Sequence, residues 1–299
     1  MARPFIELRS VVHKNIIQER FHLGQKGINL LLDAGRQWQL ASVLQSGGAL
    51  IFPHTYLHAC GHQVAAVVHA CLDSGADHIL AIGVLHALAN TMIEAREQEA
   101  RGEDMQPHLL RGIQGPGLQE RCDWIKEFSL RNFEFLLEKE VKRRGIVQPK
   151  LYLRYPFLVG GAPEKLPGIE ELHKIAKDAV IVATGDLFHH GIGYGESPLT
   201  AFPQEAGGID LAKQRILESI SLLEKGSYDD YRAHAFASHN DAVDVGQVLR
   251  FLLGPLEGSI LDIVACDTSL QWDSLPPTWV AASLVELHKS HKNNKMQIE

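Results

Sequence analysis

Cysteine is scarce in this chain. The four among 299 residues, Cys60, Cys71, Cys122 and Cys266, include no C-x-x-C pair. That spacing excludes a zinc ribbon and a disulfide-stapled scaffold and fits a reducing compartment, so a cytoplasmic location is expected. Long apolar runs are also missing: nothing approaches the roughly 20 residues needed to cross a bilayer, and Met1-Ala2-Arg3-Pro4-Phe5 has no apolar signal region. No membrane association is expected. Positive charge is neither in excess nor clustered, the net charge being -7, which argues against a nucleic-acid surface. The short cluster Lys142-Arg143-Arg144 reads as the end of a helix, where cations complement the dipole. No internal repeat is visible.

What is present is a large apolar fraction, 45% hydrophobic against 22% charged, enough to bury a sizeable core. Strand-like and helix-like segments alternate, which predicts an α/β fold with a mainly parallel sheet covered on both faces. One domain is expected over residues 1–288, followed by a polar, disordered tail over 289–299. Helices are predicted over Gly61 to Leu72, Leu85 to Ala100, Trp124 to Arg144 with Gly145 as cap, and Asp210 to Lys225. Further strands are predicted over Pro149 to Pro156 and Ser259 to Ala265. The Gly-, Pro- and charge-rich stretch Arg101 to Gly117 reads as a mobile loop.

Three apolar, β-branched runs each lead into a histidine: Ala49 to His54, His78 to His86, and Ala179 to His189. Ligands in open α/β sheets bind at the carboxyl ends of strands, so His54, His86 and His189 are placed to converge on one ion. Imidazole suits Fe(II), Zn(II) or Cu, and two histidines with one carboxylate leave positions open for reactants. Asp186 is a candidate pocket residue or a cap on the turn at Gly185. His58 and His62 extend an i, i+4, i+8 series from His54, but Pro53 argues against a continuous helix there, leaving His58 as a pocket candidate and His62 as structural. His190, His234, His239 and Asn240 read first as surface, capping or supporting residues.

These residues resemble a known family. Pro53-His54-Thr55-Tyr56-Leu57-His58-Ala59-Cys60-Gly61, Ile82-Gly83-Val84-Leu85-His86, Glu127-Phe128-Ser129 and Ile181 to Gly191 resemble, in order, segments of MEMO-like proteins. Val264-Ala265-Cys266 through Trp279-Val280-Ala281-Ala282 resembles a further one. The resemblance spans about residues 50–283. It implies a three-layer α/β/α sandwich related to LigB-type class III extradiol dioxygenases. By that resemblance His54 and His86 bind a non-haem iron, His189 is the acid/base residue and Asp186 supports the pocket. The third ligand is open: the ungapped register puts Ser269 there, with Asp267, Asp273 and Cys266 nearby, and Asp267 is the preferred choice because it directly follows a strand. Phe128, where the family has histidine, implies a more apolar pocket.

The function this implies is an Fe(II)-dependent oxygenase acting with dioxygen on a small organic substrate, with Zn or Cu as alternative metals. A non-catalytic binding protein using the same cleft, or a zinc-dependent hydrolase, are the alternatives. Oligomeric state is not legible.

Overall fold

The computed structural model describes residues 5–103, 110–118 and 126–290, with side chains from residue 11 onward. Among these, eight strands form one sheet: β1 (Ala49–Phe52), β2 (His78–Ile82), β3 (Gly112–Gln114), β4 (Lys150–Phe157), β5 (Val180–Thr184), β6 (His189–Gly191), β7 (Leu256–Asp267) and β8 (Thr278–Lys289). The path through it is β3-β4-β2-β5-β1-β8-β6, with β7 also paired to β8. The four central strands, β4, β2, β5 and β1, are parallel; Phe52 at the end of β1 lies opposite Thr184 at the end of β5, and Ile82 at the end of β2 lies opposite Ala183 and Arg154, with β4 running three residues further. β3, β6, β7 and β8 are antiparallel additions at the flanks.

Strand side chains alternate between faces, and two cores follow from that period of two. Leu50 and Phe52, Ile79 and Ala81, and Val182 point into one core; Ala49 and Ile51, Leu80 and Ile82, and Ile181 and Ala183 point into the other. The first core is covered by α1 (Phe5–Gly35), α2 (Ala41–Gln45), α3 (Leu57–Asp73), α4 (Asn90–Ala100) and α5 (Arg131–Arg144). The second is covered by α6 (Ile169–Asp178), α7 (Ile209–Lys225), α8 (Tyr228–Ala237) and α9 (Val243–Leu253). A short helix, α10 (Ser269–Trp272), lies between β7 and β8. The result is the expected three-layer α/β/α sandwich, with the carboxyl ends of four parallel strands on one edge.

Several boundaries differ from the sequence reading, and the reasons bear on the site. The expected helix from Leu85 begins only at Asn90, because the N–H groups of His86 and Ala87 are taken by the Glu127 carboxylate at 2.7 and 3.0 Å. The expected helix from Trp124 begins at Arg131, because the same carboxylate accepts from the N–H groups of Phe128 and Ser129. Its start, residues 124 and 125, lies outside the described residues, while Gly145 caps its end in the left-handed region (φ 64°) as expected. Gly112–Gln114, read as loop, forms β3 on the edge of β4, and residues 104–109 of that stretch lie outside the described residues. Of the expected tail, Lys289 closes β8 and Ser290 N donates to Pro255 O, while 291–299 lie outside the described residues. The long α1 was not foreseen. Its apolar positions are poorly segregated onto one stripe, and it is broken at Gly24, whose φ of 55° and ψ of -175° suit glycine alone.

Candidate metal centre

The parallel strands end in tight turns that deliver polar side chains over the sheet edge. β1 is followed by Pro53 and His54; the segment after β2 carries His86; β5 is followed by Gly185, Asp186 and then His189. Gly185 is required here, since a Cβ would stand 2.4 Å from the Ala242 Cβ. That close approach brings in a loop the strands do not provide, residues 238–242 between α8 and α9. The loop is tied down by reciprocal bonds. Asp186 N donates to Asp241 Oδ1 at 2.9 Å, Asp241 N donates to Asp186 O at 3.3 Å, and Ala242 N donates to Asn240 Oδ1 at 2.8 Å.

With Oδ1 of Asp241 anchored, Oδ2 faces the imidazoles. His54 Nε2 lies 3.2 Å from it, His86 Nε2 3.8 Å and His189 Nε2 4.0 Å. In each ring the other nitrogen is directed elsewhere. The Thr184 hydroxyl donates its only proton to Phe52 O at 2.9 Å and so accepts from His54 Nδ1 at 3.3 Å. His189 Nδ1 donates to the carbonyl of His239, a residue in the left-handed region (φ 49°). His86 Nδ1 lies 3.6 Å from Glu127 Oε1. Fixing Nδ1–H in this way turns Nε2 toward a common point, the usual arrangement behind metal-binding histidines.

His54, His86 and Asp241 place one donor atom each within 4.8 Å of one another, as do Asp186, His189 and Asp241. Donors sharing a transition metal stand about 3 to 3.5 Å apart given bond lengths near 2 Å, so small closures of the observed spacings suffice. Nitrogen donors plus a carboxylate also match the chemistry of Fe(II), Zn(II) and Cu sites. These residues therefore form a group that can hold a metal ion.

The electrostatics agree. Burial acts to lower the His54 pKa, but the charges of Asp186 and Asp241, and a hydrogen bond to Asp241, outweigh it and raise the pKa from 6.5 to about 9. Burial acts to raise Asp241, but the His54 charge and hydrogen bond, with the charges of His189 and His86, bring it from 3.8 to about 2. Asp186 is raised, chiefly by burial. Glu127 is lowered in spite of complete burial, because His86 and backbone N–H donors favour its ionised form.

A raised histidine stabilises the fold at pH below its unfolded value of 6.5 and loses that contribution as pH rises through about 9. Asp241 contributes above 3.8 and loses its share as pH falls through about 2. The metal-free protein is therefore expected to lose about 3 kcal/mol of stability between pH 6.5 and pH 10 from His54 alone. Urea denaturation across that range, compared with His54→Ala, checks this: the variant's curve should be flatter by that amount.

Of the residues singled out in the sequence, His54, His86, His189 and Asp186 come together. Asp267 does not join them. It is exposed at the end of β7, and its Oδ1 accepts from Ser269 N and Oγ at 2.8 and 2.6 Å, closing the start of α10. The carboxylate that meets the histidines is Asp241. Ser269 is spent on that bond, Asp273 ends α10 in the left-handed region, and Cys266 packs with Cys60 and Ala282. His58 pairs with Glu19 at 2.6 Å and His62 with Asp262 at 2.9 Å. His190 bridges Glu196 and the Phe202 N–H. Asp241 stood in the polar stretch ending Ser238-His239-Asn240-Asp241, whose polarity between two helices was the only signal for it.

The cluster forms the floor of a cavity of about 340 Å³, a size that accommodates a small organic molecule. Its walls are mostly apolar. The Phe128 ring stacks on His86 at 4.2 Å and packs with Val12, Ile16 and Trp272, so N-terminal helix α1 roofs the chamber. Tyr194 stands over His189 at 4.7 Å and against Trp272 at 4.9 Å. Among the described residues no helix is long and apolar enough to cross a membrane. Comparison with protein-family models and with curated proteins found no match to the chain.

Proposed function

We propose that this protein is a metal-dependent oxidoreductase of the MEMO-like and LigB-like kind, using non-haem iron and dioxygen on a small organic substrate. The observation that supports it best is the convergence of the His54, His86 and His189 Nε2 atoms on Asp241 Oδ2 inside a largely apolar chamber. In this reading His54, His86 and Asp241 hold Fe(II), which supplies Lewis acidity and electrons for reaction with dioxygen. His189, with Nδ1 held by the His239 carbonyl, presents Nε2 to the chamber as the group that takes a proton from substrate and returns it. Asp186 fixes the turn through its Oδ1, which accepts from His54 N. Phe128, Val12 and Ile16 keep bulk water from the floor.

In this reading Asp241 supplies the carboxylate that position 269 lacks, which supports a catalytic over a purely binding role. A zinc hydrolase remains the competing chemistry. Anaerobic protein reconstituted with Fe(II) and exposed to nitric oxide, an oxygen mimic, separates them. The high-spin iron nitrosyl EPR signal is expected in the wild type and absent in His86→Ala. Tight zinc binding, with no iron retained and no signal, would overturn the oxygenase reading.

A further inference from the structure

Arg96 is the only lysine or arginine on the chamber wall among the described residues. Its guanidinium is pinned. Nη1 donates to Glu99 Oε2 at 2.5 Å and to Asp244 Oδ1 at 3.3 Å, and Nη2 to Asp244 Oδ2. Both carboxylates are themselves fixed, Glu99 by the N–H of Gly160 and Asp244 by that of Leu158, and the guanidinium lies over the Phe157 ring at 4.9 Å. Three of its five N–H donors are thus used. The remaining two, Nε–H and the second Nη2–H, lie side by side on one edge, and the side chain is 23% exposed. A rigid two-donor edge in an apolar chamber is a recognition element for an oxygen acceptor.

The surrounding charges say which acceptor. The guanidinium's charge is already matched by the Glu99 and Asp244 carboxylates, and at the floor the Asp186 and Asp241 carboxylates stand beside the His54 imidazolium, so neither end has spare positive charge to hold an anion. A cation finds no acceptor on this edge, which only donates. We propose that the chamber takes an uncharged, mainly apolar molecule of about one aromatic ring, whose carbonyl oxygen docks on the Nε/Nη2 edge of Arg96 while its other end faces the histidine cluster. This rests on the reading above of that cluster as the reacting end. Arg96 is then a specificity-determining residue.

The test is binding of acetophenone, ethylbenzene and benzoate to chelator-treated, metal-free protein, followed by ligand-observed NMR titration. Acetophenone is expected to bind about tenfold tighter than ethylbenzene, which lacks the acceptor, and benzoate weakest of the three. Arg96→Lys keeps a cation for Glu99 and Asp244 but has no second edge; it should bind ethylbenzene as the wild type does and lose the preference for acetophenone. Glu99→Gln, which removes one negative charge, should narrow the gap between benzoate and acetophenone. Equal binding of acetophenone and ethylbenzene by the wild type, a preference that survives Arg96→Lys, or benzoate binding best would overturn the proposal. Because no metal is present, failure of the iron reading would show in the nitric oxide experiment and leave these ratios untouched.

Discussion

Asp241→Ala is expected to lower affinity for Fe(II) by more than about 100-fold, and Asp267→Ala to leave it unchanged. The contrast follows from where the two carboxylates are committed. Asp241 Oδ1 is held by Asp186 N, which leaves Oδ2 facing three imidazoles. Asp267 spends Oδ1 on Ser269 at an exposed strand end. Removing the Asp241 side chain also strips the His54 imidazolium of its hydrogen-bonded partner, so the variant should lose part of the alkaline pH dependence described above. Competition titration with a chromophoric chelator measures both affinities. Equal losses in the two variants, or loss in Asp267→Ala alone, would move the ligand set away from Asp241.

Glu127→Gln is expected to destabilise the fold by about 3 kcal/mol, a large effect for a near-isosteric change. Glu127 is 2% exposed, and each of its oxygens accepts two backbone N–H groups: Oε1 those of Phe128 and Ser129, Oε2 those of His86 and Ala87. A glutamine amide offers one acceptor oxygen, so its NH₂ must face two buried N–H donors. The same carboxylate stands 3.6 Å from His86 Nδ1, so the change should also weaken metal binding about 10- to 100-fold through the ring's orientation. Thermal unfolding should fall by roughly 5 to 10 °C. A variant with wild-type melting and weakened metal binding would show that Glu127 acts on His86 alone.

The sequence carried the strand ends well and the loops poorly, for physical reasons. Ala49 to His54 and His78 to His86 are short β-branched runs whose closing residues must fall at a sheet edge, and parallel register puts all such edges on one side. That made His54, His86 and His189 legible. The carboxylate that faces them was not, because Asp241 reaches the cluster through a loop between two helices on the second face, placed by the contact of Ala242 with Gly185. No local pattern encodes that contact. Asp267 was chosen because it follows a strand, but β7 lies beyond β8, not among the central parallel strands. The helix starts at residues 85 and 124 were misplaced by one cause, since a single buried Glu127 withdraws four N–H groups from helical bonding.

The most direct measurement is anomalous X-ray scattering at the iron edge from crystals grown anaerobically with Fe(II). The account predicts a single strong peak at metal–ligand distance, about 2 Å, from His54 Nε2, His86 Nε2 and an Asp241 oxygen, with His189 alongside. A peak at Asp267, or no peak at the histidines under conditions where the protein retains iron, would contradict it.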